Sequence, residues 1–110
     1  MKRVAITLAV AGVLALPWSV QARGNADNGR GKAQACAACH GPEGNKPAGP
    51  DFPIIAGQHA DYLRKALLDY KSGARANPIM KGFAAALSKQ DIEDLATYFA
   101  SQASSLQTHR

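Results

Sequence analysis

The 110-residue chain has only two cysteines and one tryptophan, and no apolar–polar alternation long enough for a β-strand. Each scarcity excludes something. Without a third cysteine, a structural zinc site lacks its usual ligand set. Without strands, a thioredoxin-like dithiol lacks the strand–helix–strand frame that carries it. There is no glycine-rich phosphate loop, no basic–aromatic array and no long run of like charge, so nothing marks a nucleic-acid binder. No internal repeat is present. No apolar run reaches the ~20 residues needed to span a bilayer.

What is present starts with an export signal. Lys2 and Arg3 head an apolar run at 4–16 that only Thr7 and Gly12 interrupt, and Pro17, Trp18 and Ser19 follow. The triplet Val20-Gln21-Ala22 has the small-x-small form of a cleavage site. Residues 1–22 therefore read as a signal peptide cut after Ala22, which places the mature protein outside the cytoplasm, with no stable membrane insertion after cleavage. Loss of Lys2 and Arg3 takes the formal net charge from +5 to +3, and Trp18 leaves as well. One domain is expected at 23–103, with a polar tail at 104–110 that frays. So small a domain buries a modest core and commonly needs a covalent or metal staple.

The staple is written in Cys36-Ala37-Ala38-Cys39-His40. C-x-x-C-H is the attachment signature of haem c. Two thiols three apart on a helix share a face, so both can reach one edge of a porphyrin and form thioethers with its vinyl groups. His40 stands four positions from Cys36, on the same side, where its imidazole can bind the iron. Ala37 and Ala38 are too small to obstruct the macrocycle. A disulfide between cysteines this close would close a small, strained ring. The motif occurs once, so the expected cofactor is one covalent haem c with its iron.

Around it the expected class is all-α, with three main helices and long loops. The first helix is predicted at about 28–39, with Asp27 as a cap and Gly29 and Gly31 permitting close approach of another helix. Glycines and prolines make 41–57 a loop. The second helix is predicted from His59 or Ala60 to Ser72, with Leu63, Ala66, Leu67 and Tyr70 on one stripe and Gly73 as its stop. Residues 74–87, with Pro78 and Gly82, read as irregular. Ser88 and Asp91 form a capping box for the last helix, whose inward stripe is Ile92, Leu95, Ala96 and Phe99.

A second axial iron ligand has several candidates. Met80 is the only methionine left after export and lies forty positions beyond His40, in Asn77-Pro78-Ile79-Met80. A thioether in an irregular segment can be delivered to the iron from the side away from His40, although methionine also fills core gaps. His59 sits where a helix begins and reads as a surface or capping residue, with a bis-His site as the alternative. His109 is in the tail. The lysines complete the set.

The ordered series 36–41, Phe52-Pro53-Ile54-Ile55-Ala56-Gly57-Gln58, Asp61-Tyr62-Leu63, Gly73-Ala74-Arg75, Met80 and 87–99 resembles the class I c-type cytochromes. The likeness is to the small bacterial periplasmic monohaem type, cytochrome c-553-like, and to one half of the dihaem cytochromes c. It implies crossed first and last helices, with Gly29 or Gly31 against Tyr98 or Phe99. It implies haem in a crevice with one edge exposed, and it casts the Pro53 carbonyl as acceptor of the His40 Nδ1–H. The middle region is shorter than in mitochondrial relatives. The function so implied is single-electron transfer without catalysis, between respiratory or dehydrogenase partners, with His40 and Met80 as axial ligands. Basic residues such as Lys65, Lys71, Lys81 and Arg75 could steer the protein to an acidic partner face. The alternatives are a permanent electron-transfer subunit of a larger oxidoreductase, and a haem-based ligand binder or peroxidase. A monomer and a subunit of a complex both fit.

Overall fold

The computed structural model describes residues 2–14 and 24–106. The expected cleavage triplet Val20-Gln21-Ala22 and His109 lie outside the described residues, as does the end of the expected tail. Residues 2–14 carry no regular secondary structure, and no described helix is long and apolar enough to cross a membrane. Five helices and no strand occur among the described residues: α1 (Ala26–Lys32), α2 (Gln34–His40), α3 (Ala60–Ser72), α4 (Pro78–Ala85) and α5 (Lys89–Ala100). The all-α class holds.

The first predicted helix exists but is divided and starts earlier. Asn25 is its cap, its side-chain oxygen accepting from Asn28 N at 3.0 Å. Asp27 falls instead in the first turn, where a carboxylate suits the positive end of the helix dipole. The division is one residue wide: Ala33 N donates to both Gly29 O (2.9 Å) and Arg30 O (3.3 Å), and α2 follows directly. Gly29 and Gly31 each lower helix propensity by about 1 kcal/mol relative to alanine, so the ladder yields here.

The bend lets α1 lie flat on α5. A Cβ on Gly29 would overlap the Asp94 carbonyl oxygen and sit 2.7 Å from Tyr98 Cβ, whereas one on Gly31 would meet nothing within 4 Å. Gly29 is thus the crossing glycine. Asp94, only 1% exposed, joins the two helices further. Its carboxylate accepts from Asn25 N (2.8 Å), Lys32 Nζ (2.7 Å) and Gln90 Nε2 (2.8 Å). Lys32 also reaches Asp91 at 2.8 Å.

α3 and α5 follow their predicted patterns. Leu63 is buried, Leu67 packs on the core, and Gly73 takes a left-handed φ of +86° to stop α3. The capping box forms: Asp91 N donates to Ser88 Oγ (3.0 Å) and Ser88 N to Asp91 Oδ2 (2.9 Å). Ile92, Leu95, Ala96 and Phe99 are all buried, with Tyr98. The main buried cluster is Ala33, Leu63, Leu95, Ala96, Tyr98 and Phe99.

The segment expected to be irregular at 74–87 contains α4. Pro78 occupies its first position, where the missing N–H is no loss, and Asn77 caps it. Met80 is therefore on a helix and not in a loop.

Candidate functional site

α2, α3, α4 and α5, with the 41–57 loop, border an apolar hollow, a cavity of about 370 Å³. α2 contributes Cys36, Cys39 and His40; the 41–57 loop contributes Phe52, Pro53, Ile54 and Ile55. α3 supplies Tyr62, Leu63, Ala66, Leu67 and Tyr70; Arg75 and Asn77 follow. Ile79, Met80 and Phe83 of α4 and Leu95, Ala96 and Phe99 of α5 complete the wall.

His40 is the last residue of α2 and is 7% exposed. Its Nδ1 lies 2.8 Å from the Pro53 carbonyl oxygen. A carbonyl can only accept, so Nδ1 carries the proton and Nε2 of the neutral ring keeps its lone pair. Phe52 meets the ring edge-on, with centroids 6.4 Å apart. Gly41, at φ +88°, ends α2 at once and turns the chain, which Ala48 N ties back to Cys39 O at 2.9 Å. Gly44 (φ +77°) accepts from Ile55 N and Ala56 N, and a Cβ there would strike Ile55 and Phe99. Gly57 N then donates to Phe99 O at 2.9 Å. The loop that presents Pro53 is thereby anchored to α5.

Cys36 and Cys39 are free thiols, both half-buried. Burial, with the neighbouring Cys39 adding to it, pushes the Cys36 thiol up. A reactive dithiol has the opposite character, a lowered pKa in an electropositive setting. Two free thiols on an apolar wall are placed to face the vinyl groups of a porphyrin lying in it. Among the described residues no three His, Cys, Asp or Glu converge on one point, so a bare metal ion has no protein ligand cage. Two thiols on one helix face, an imidazole with a free lone pair, a thioether and an apolar hollow fit an iron porphyrin held covalently.

His59 lies at the N-cap of α3, exposed, with no side-chain capping bond and no place in the cavity wall. Two features of the wall were not singled out from the sequence as site residues. Arg75 sits over the Tyr70 ring at 4.8 Å and donates to the Tyr62 hydroxyl at 3.4 Å, and that hydrogen bond raises its pKa. Asn77 caps the helix bearing Met80; an Asn directly before a Pro is a start signal that could have revealed it.

The family model for Cytochrome c matches residues 26–103. Cytochrome c4 of Pseudomonas aeruginosa is 48% identical over 89 residues, covering 81% of this chain and 44% of that protein. A thiosulfate dehydrogenase electron acceptor of Stutzerimonas stutzeri is 43% identical over 94 residues, covering 79% of this chain and 44% of that protein. The crystal structure of reduced recombinant cytochrome c4 from Pseudomonas stutzeri is similar with a TM-score of 0.70 and 44% identity, over 74% of this chain and 47% of that one. The chain spans about half the length of the curated relatives it matches.

Proposed function

The chain belongs to the cytochrome c family, whose members carry covalently bound haem c and transfer electrons, and from that premise we propose that it is a periplasmic single-electron carrier. In this reading Cys36 and Cys39 would hold the haem by thioethers, and His40 and Met80 would ligate its iron. One observation carries it: a buried imidazole, fixed through Nδ1 by Pro53, shares an apolar cavity with two free thiols and a methionine. When bound, the haem supplies an iron that alternates between ferric and ferrous states.

The chain's own residues set the terms of that change. The Pro53 carbonyl keeps the His40 ring oriented and makes it a better donor. A methionine thioether donates weakly, which favours the ferrous state over what two histidines would give. The apolar wall of Leu63, Leu67, Leu95 and Phe99 excludes water and so limits solvent reorganisation. With His40 and Met80 both bound to the iron, a substrate would have to displace Met80 to coordinate.

A second reading is favoured by one comparison. The relative described as a thiosulfate dehydrogenase electron acceptor supports a carrier dedicated to one dehydrogenase, including as a permanent subunit. Co-purification with a larger partner separates this reading from the freely diffusing carrier. The test of both is a redox titration of the exported protein with its visible spectrum. A one-electron wave with the weak long-wavelength sulfur-to-iron band in the ferric form is expected. Absence of that band together with ready carbon monoxide binding to the ferrous form would replace the carrier by a ligand-binding haem protein.

A further inference from the structure

Asn77 holds the helix that presents Met80. Its side-chain oxygen accepts from Ile79 N and from Met80 N, both at 3.1 Å, and its main-chain oxygen accepts from Lys81 N at 2.8 Å. Asn77 also lines the cavity itself. α4 is eight residues long, and a helix of that length is not stable on its own in water. The cap therefore contributes much of what keeps its first turn wound. Because the Met80 N–H is one of the bonded donors, the winding of this turn and the place of the Met80 sulfur are coupled.

Resting on the reading of Met80 as an axial ligand, we propose that Asn77 is a positioning residue that sets how readily Met80 leaves the iron. Unwinding the first turn of α4 withdraws the thioether and opens the position to a small exogenous ligand. The strength of the cap therefore appears in the affinity for that ligand.

The test is an imidazole titration of the ferric, haem-loaded protein, with hydrogen exchange followed at the Ile79 and Met80 amides. Asn77→Ala should bind imidazole about five-fold more tightly, and both amides should exchange faster by a similar factor. Asn77→Ser, an equally good cap, should return both to within about two-fold of the parent. Ser88→Ala removes the corresponding cap from α5, away from Met80, and should leave imidazole affinity unchanged. If Asn77→Ala does not accumulate, Asn77→Gly carries the test with a smaller increase, about two-fold. An unchanged imidazole affinity in the uncapped variant, with the sulfur-to-iron band intact, overturns the proposal and leaves Met80 ligation standing. An equal increase in Ser88→Ala also overturns it, since the effect is then general loosening. If Met80→Ala alters neither band nor affinity, the axial reading and the proposal fall together.

Discussion

At the scale of single residues, the centre is the 2.8 Å bond between His40 Nδ1 and the Pro53 carbonyl. It places the proton on Nδ1 and leaves the Nε2 lone pair unused. Spacing alone pointed to Cys36, Cys39 and His40, three and four apart on one helix, and the structure sets all three on the wall of one cavity. Pro53 was legible only through a family resemblance, since a carbonyl thirteen residues away leaves no periodic trace. Met80→Ala should keep the haem attached, abolish the sulfur-to-iron band, admit exogenous ligands and lower the reduction potential; the spectrum and a redox titration check this. Cys36→Ala or Cys39→Ala should weaken covalent attachment, read as haem extracted by acid–acetone in amounts that the parent protein does not release.

At the scale of elements, α5 and α3 were readable and α4 was not. A capping box and a four-residue apolar stripe are local signals, and both stand in the sequence from Ser88 to Phe99. Pro78 pointed the wrong way: the same ring that breaks a helix interior is well placed at a first position. The split of α1 from α2 was hidden for another reason, because a tertiary demand, the crossing with α5, decides where two glycines allow the ladder to yield. That either Gly29 or Gly31 served the crossing was foreseeable. Which one depended on helix rotation, and only the structure shows Asp94 and Tyr98 pressed on Gly29. Gly29→Ala should therefore force α1 and α5 apart and destabilise the fold by about 1–3 kcal/mol, whereas Gly31→Ala should be neutral or mildly stabilising. Thermal or denaturant unfolding of the two variants side by side distinguishes them.

At the scale of the whole molecule, a charged clasp and a hollow core govern behaviour. Lys32, through hydrogen bonds and with help from Ser88, holds Asp91 down to about 2; Lys32 and the Asn25 N–H likewise lower Asp94. Their unfolded values lie near 3.9, so the stability these carboxylates add is complete above that pH. It is lost as pH falls from about 4 towards 2, because unfolding then takes up protons that the folded carboxylates resist. The melting temperature should drop across that window, and Asp94→Asn should flatten the drop; Lys32→Met should do so too. Salt should shrink the Asp91 share more than that of buried Asp94. The hollow is the larger matter. A few large apolar side chains surround a cavity of about 370 Å³, and a core so thin requires a filling group to pack against. The intact mass of the exported protein, taken under denaturing acid beside its visible spectrum, tests this most directly. A red protein whose mass is the polypeptide plus one haem is the predicted result. A colourless protein with the mass of bare polypeptide would contradict it.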